Sequence, residues 1–449
     1  MVGVAGVRRR LIAGGVVAVL ASAALAGARP ARADSRQPHV DNPYAGVPGY
    51  VDPQWRARVR GVPGGDRVAN APTGIWLDRV SRIAGRPGEP GLRAHLDAAL
   101  AQRAGYVQVV LNDLPARDCS RLRPGGEFAV GEVDRYRREF VDPIVAIERD
   151  PKYRRLRIVN VIEPGAVPEL LAFRTGSSLC EQVDRGGDYL TGIRYVLDQL
   201  GPYPNIYRYL GAGHHAQLGW DSDRAAAVGL FATIVAGTRA GPDGVDGVIV
   251  NTAGYGALTE PYFTADTVVN GSPVTYSRWV DWNRFVDELS YGRQLRRELV
   301  AAGFPDRVGV LVDTSRNGWG GPDRPVAPST SSDVNTFVDR SRVDRRIASA
   351  NWCNQAGAGL GERPAVAPQP GVDAYVWMKP PGTSDGAADP GSTDPVAGFD
   401  PKCDPDYRPP TDSGWPPTGA LHDAPPVGAW FPAQFAQLMA NAYPPLPAG

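Results

Sequence analysis

The chain has 449 residues, with 48 basic and 48 acidic side chains and a formal net charge of zero. No global positive field exists to draw in a nucleic acid or another polyanion, so those partners are set aside. Ten tryptophans and seventeen tyrosines suit a neutral partner better, because aromatic faces stack on the C–H faces of sugar rings, although most such residues pack cores and loops.

The N-terminus reads as an export signal. Arg8, Arg9 and Arg10 precede an apolar stretch from Leu11 to about Ala28, and Ala31-Arg32-Ala33 fits a small-x-small cleavage site before Asp34. The apolar run is broken by Gly14, Gly15 and Gly27 and is short for a membrane span. The paired arginines leave both the general and the folded-protein export routes open. Residues 1–33 are therefore expected to be a signal peptide. The mature chain, 34–449, is expected to be one secreted domain with no membrane attachment.

Short β-branched runs follow at Val107–Leu111, Arg157–Ile162, Asn205–Leu210, Gly247–Val250, Val308–Val312 and Ala374–Met378. Amphipathic stretches near 91–104, 131–149, 185–200, 222–238, 280–302 and 333–350 predict helices between and around them. Such alternation means an α/β fold with a parallel sheet. Each run ends in polar groups: Asn112 and Asp113, Glu163, His214, Asn251, Asp313 with Arg316, and Lys379 with Asp385. Parallel barrels carry their chemistry at the C-terminal ends of their strands. An open sheet binding a nucleotide would need a glycine-rich phosphate loop after a strand, and none is found. A distorted, TIM-like parallel β/α barrel of about seven strands is the expected architecture. Pro- and Gly-rich stretches at 320–332, 363–371, 380–400 and 404–427 read as ordered loops over the barrel face.

In an exported protein, four cysteines read as two disulfides. Three pairings are possible, and sequence-neighbour pairing, Cys119–Cys180 with Cys353–Cys403, is the expectation. Neither C-x-x-C nor histidine spacing for a metal is present, and His214-His215 reads as a hydrogen-bonded strand-end pair. No metal and no cofactor are expected.

Nine blocks then occur in order over nearly the whole mature chain: Asn42–Gly46, Ile75–Arg79, Asp113–Cys119, Val161–Pro164, Ala212–Trp220, Asp313–Gly318, Asn351–Asn354, Val376–Pro380 and Ser384–Gly386. Together they resemble the family-six glycoside hydrolases. The resemblance implies exported cellulase relatives and an inverting attack on β-1,4-glucans. Inversion needs a carboxylic acid on the leaving oxygen and a water-activating group opposite, about 6.5–9.5 Å apart.

Carried over residue by residue, the resemblance matches Asp118 to the family's acid-tuning aspartate and Asp385 to its base-side aspartate. Lys379 and Arg316 match its strand-end cations, and Trp76, Trp220 and Trp352 match its sugar platforms. Asn251 is added as a substrate-binding candidate. Other positions depart. The general acid of the family's Glu-Pro-Asp is Gly165 here, and a second acidic position is Gly211. A tyrosine position is Asn112, a water-holding hydroxyl position is Pro124, a glutamate position is Thr383, a stacking tryptophan position is Gln217, and an asparagine position is Gly254.

Glycine cannot give a proton, and a positioned general acid is worth about 10²–10⁴ in rate. The first expectation is a β-1,4-glucan-recognising pseudoenzyme, monomeric, with hydrolysis absent or very weak. The alternative is an active inverting glucanase using Asp118, or less readily Glu163, as a surrogate acid. A third reading is a surface interaction protein that has lost sugar binding.

Overall fold

The computed structural model describes residues 39–121, 125–173, 175–392, 399–408 and 417–447. The expected export segment and Pro124 lie outside these.

Eight strands form one sheet. In chain order they are β1 (Ile75–Leu77), β2 (Tyr106–Leu111), β3 (Arg157–Ile162), β4 (Ile206–Gly211), β5 (Gly247–Val250), β6 (Gly309–Asp313), β7 (Ala365–Gln369) and β8 (Val372–Val376). Their spatial order is β1-β2-β3-β4-β5-β6-β8-β7, with every pair parallel except β8 and β7. Thr73, just before β1, forms a parallel bridge with Trp377, just after β8. The Gly74 N–H donates to the Trp377 carbonyl at 3.1 Å across the same seam. The seven parallel strands therefore curl until first meets last, as the alternating pattern leads one to expect. The antiparallel β7 hangs on β8 at the edge.

Alternation of side chains along each strand builds two layers. Val110, Val161, Tyr209, Ile249, Leu311 and Val376 fill the barrel interior. Val109, Ile158, Leu210, Val248 and Val310 face outward and pack under the helices Leu92–Ala101, Asp188–Leu200, Asp221–Ala236 and Glu288–Ala301.

The helices differ from expectation where side chains intervene. The stretch expected near 131–149 contains a π-turn, Tyr136–Val141, before Asp142–Glu148. That turn delivers the Tyr136 hydroxyl to Glu163 Oε1 at 2.9 Å. The helix expected from 280 begins only at Glu288, because the Asp287 side chain caps it by accepting the Ser290 N–H. The helix expected to reach 350 stops at Ser341, where the Arg342 guanidinium turns to the carbonyls of Asp344 and Arg346.

The disulfides join Cys119 to Cys180 and Cys353 to Cys403. Each ties a loop of the barrel mouth to a neighbouring segment. No helix among the described residues is long and apolar enough to cross a membrane.

Candidate active site

The C-terminal mouth of the barrel is laced by one carboxylate. Asp313, ending β6, accepts N–H bonds from Ala253 (2.8 Å), Ser315 (3.0 Å), Met378 (3.2 Å) and Lys379 (3.0 Å). It thereby holds together the ends of β5, β6 and β8. Asn251 belongs to the same brace. Its amide donates to the Asp313 carbonyl at 2.8 Å, and its Oδ1 accepts from the Gly256 N–H at 3.1 Å. Gly254 makes this possible, since a Cβ there would lie 2.1 Å from Asn251 Oδ1. Asn251 therefore stands in the framework of the mouth, with both ends of its amide engaged.

Asp385 is the hub of the site. It accepts from Arg316 Nη1 (2.8 Å), the Tyr255 hydroxyl (2.8 Å) and the Asn354 N–H (2.9 Å), with Lys379 Nζ at 3.6 Å. Burial pushes its carboxyl up, but Arg316 and Lys379 more than offset this and hold it below the usual range. Arg316 is fully buried beneath it and lies over the Tyr255 ring at 4.2 Å. Its partner is thus Asp385, and Asp313 serves the backbone. Burial lowers the Lys379 ammonium, partly opposed by Asp385. Gly386 follows Asp385 for a steric reason, because a Cβ there would sit 2.7 Å from Cys403 Sγ.

Across the mouth, Asp118 stands on the loop after β2 with φ of 59°. Arg121 Nη1 is 3.3 Å and Arg117 Nε 3.6 Å from its carboxylate. Two guanidiniums thus engage the sequence's preferred surrogate acid. The aromatic positions ring the opening, all half-buried. Trp76 donates its indole N–H to the Met378 carbonyl at 2.9 Å, with Lys379 Nζ 5.0 Å from its ring centre. Trp220 donates to the Asp281 carbonyl at 2.7 Å. Trp352 carries the Arg121 guanidinium on one face at 4.2 Å.

The two missing carboxylates have different surroundings. Nothing lies within 4 Å of a Cβ built on Gly165, so that position opens on free space. A Cβ on Gly211 would lie 2.1 Å from Pro164 Cα and 2.4 Å from its carbonyl oxygen. Pro164 occupies the place a side chain at 211 would need.

Glu163, the less favoured surrogate acid, is bonded into the framework under the strand end. It accepts from the Asp113 N–H (3.0 Å), the Leu114 N–H (3.4 Å) and the Tyr136 hydroxyl (2.9 Å). Burial pushes it up to about 7.

One carboxyl of the site escaped the sequence reading. Glu169 stands a helical turn beyond Gly165, and its N–H donates to the Gly165 carbonyl at 3.0 Å. Its Oε1 accepts from the Ser120 N–H at 3.1 Å and from the Ser120 hydroxyl. Burial, then the charge of Asp118, push it up to about 7. The available signal was a glutamate four residues after Gly165 in a helical stretch, a spacing that stacks two residues on one face.

His215 Nδ1 pairs with Glu288 at 2.8 Å, and burial lowers His214 to about 4. Among the described residues no group of three or more His, Cys, Asp or Glu side chains is arranged to hold a metal.

The model of glycosyl hydrolases family 6 matches residues 53–442. The chain belongs to this family. Among family 6 relatives, it is 41% identical over 429 residues to exoglucanase A of Cellulomonas fimi, an alignment covering 90% of this chain and 49% of that protein. The chain thus spans about half the length of that relative. A probable 1,4-beta-D-glucan cellobiohydrolase C of Aspergillus clavatus is 30% identical over 422 residues, covering 90% of this chain and 76% of that one. Among solved structures, the catalytic domain of Cellulomonas fimi Cel6B superposes with a TM-score of 0.87 at 40% identity, over 92% of this chain and 97% of that one. The CcCel6A catalytic domain complexed with p-nitrophenyl beta-D-cellotrioside matches with a TM-score of 0.70 at 30% identity, over 91% and 99%.

Proposed function

We propose that this protein binds a β-1,4-linked glucan in the mouth of its barrel and hydrolyses it very weakly or not at all. The observation that carries this reading is Gly165. The residue after Glu163-Pro164 has no side chain, while Asp385, Arg316 and Lys379 keep a connected, buried cluster and the three tryptophan positions of the mouth are all present and half-buried. A glycosidic oxygen leaves poorly without a proton, and a missing general acid costs about 10²–10⁴ in rate. Binding asks less of the site: aromatic faces for sugar rings and polar groups between them, both of which are present. A family 6 relative holds a cellotrioside, which supports a cello-oligosaccharide as ligand. Two disulfides fit the secreted location expected from the N-terminus.

The test is calorimetric titration with cello-oligosaccharides, followed by long incubation and chromatography of the sugars. Saturable binding with intact oligosaccharide supports the reading. Rapid release of shorter sugars contradicts its catalytic half, and absence of binding contradicts the whole.

A second reading, residual inverting hydrolysis, has Glu169 in its favour. Burial and the charge of Asp118 push its carboxyl up to about 7, so below that pH it holds the proton a general acid has to give. Asp118, engaged by Arg121 and Arg117, is placed less well for that role. Any slow hydrolysis should then persist in Asp118→Asn better than in Glu169→Gln, and should decline as pH rises through about 7.

A further inference from the structure

Tryptophan side chains are seldom left in water, because the ring is the largest apolar group a chain can bury. Trp282 is 63% exposed, and Tyr276 beside it is 55% exposed. Their rings lie 4.5 Å apart at 44°, so the two form one continuous apolar surface.

The backbone under this pair is in an uncommon conformation. Asp281 (φ 47°) and Trp282 (φ 62°) both occupy the left-handed region, which is unfavourable for side chains other than glycine. The segment is nevertheless firmly built. The Trp282 N–H donates to the Thr275 carbonyl at 2.7 Å, and the Asp281 N–H to the Ser277 carbonyl at 2.8 Å. Val274, Val280 and Val286 anchor it from below in a satellite core with Phe263 and Phe337.

Both neighbours of Trp282 are bonded to the loop that follows β4. The Asp281 carbonyl accepts the Trp220 indole N–H at 2.7 Å. Asn283 Nδ2 donates to the His215 carbonyl at 2.8 Å. The segment that carries the exposed pair is therefore fixed to the rim that carries Trp220. A rigid aromatic face outside a sugar cleft, on a segment hydrogen-bonded to an inner tryptophan, is suited to the apolar C–H face of a further pyranose ring.

We propose that Trp282 and Tyr276 form an outer glucan platform, a subsite beyond Trp220 that engages β-1,4-glucan chains too long for the inner mouth. This rests on the glucan-binding reading above. The platform adds affinity for long chains only, because a short oligosaccharide fills the inner positions without reaching it.

Titrations of cellotriose and cellohexaose into wild type, Trp282→Ala, Tyr276→Ala and Trp282→Phe test this. Trp282→Ala is expected to weaken cellohexaose by about 3- to 10-fold, the worth of one aromatic contact, and to leave cellotriose unchanged. Tyr276→Ala should weaken it less, and Trp282→Phe should retain most of the affinity. The side chain is largely in water, so the thermal midpoint of Trp282→Ala should match wild type. Equal affinity of wild type and Trp282→Ala for cellohexaose would overturn the platform while leaving the glucan reading intact. Failure of wild type to bind either sugar would remove both. Sedimentation of wild type as a dimer that Trp282→Ala dissociates would assign the surface to a second copy of the chain and also overturn the proposal.

Discussion

The guanidinium of Arg121 lies 4.2 Å from the ring centre of Trp352 and 3.3 Å from the carboxylate of Asp118. One side chain thus covers a tryptophan face at the mouth while engaging Asp118, the surrogate acid that the sequence favoured. A sugar ring stacking on that face of Trp352 has to displace Arg121. Such a contact is worth about 0.5–1 kcal/mol where solvent reaches it. Arg121→Ala should therefore tighten cello-oligosaccharide binding by about 2- to 5-fold, measured by calorimetry. The enhancement should vanish in Arg121→Ala/Trp352→Ala.

Gly211 and Gly165 should respond oppositely to a new side chain. Gly165→Asp enters open space and should leave the unfolding midpoint unchanged. Gly211→Asp forces a Cβ to within 2.1 Å of Pro164 Cα, so the backbone must shift. Overpacking of this kind costs about 1–3 kcal/mol, which urea denaturation would resolve. Restoring the proton donor therefore calls for the single substitution at 165.

Asp385 is a hazardous position for a catalytic test. Its removal leaves Arg316 buried without its carboxylate and deprives Tyr255 and the Asn354 N–H of an acceptor. Breaking a buried pair from one side costs about 3–5 kcal/mol. Asp385→Ala should lower the denaturation midpoint sharply, so lost activity or binding in that variant reports on folding first.

Glu148 provides a pH-dependent prediction remote from the mouth. It is buried, and burial raises it from its ordinary 4.5 to about 8, with an opposing contribution from Asn160. Its Oε2 accepts from Asn160 Nδ2 at 2.9 Å. Between those two values only the folded state holds the proton, so stability falls as pH rises from about 4.5 to 8. Glu148→Gln removes this slope. The variant should match wild type near pH 5 and exceed it at pH 8 by on the order of 1–3 kcal/mol in urea denaturation.

Much of the barrel could be read from the chain because buried parallel strands are continuous β-branched runs, and all six that were marked are strands. β1 and β7 were missed. The three residues of β1 are too few for a periodic signal, and β7 is an antiparallel edge containing Pro368. The disulfide pairing followed sequence neighbours. The strand-end residues marked on Asp313, Asp385, Lys379 and Arg316 do meet at one mouth, but their partners could not be read. Arg316 reaches across to Asp385, and Asn251 is turned into the framework, because such choices depend on loop paths that spacing does not encode. Glu169 was hidden for a related reason: its significance lies in Ser120 and Asp118, which come from a different strand's loop. The contrast between Gly165 and Gly211 needed three dimensions, since both are simply glycine in the sequence.

The proton donor is the point on which the functional account turns, and Gly165→Asp with cellohexaose addresses it most directly. Wild type and variant would be incubated side by side, and released sugars followed by chromatography with the anomer identified. The account predicts little or no release by wild type and a rise of about 10²-fold or more in the variant, with inverted configuration. Wild type cleaving as fast as Gly165→Asp would contradict it, and loss of that cleavage in Glu169→Gln would identify the donor in its place.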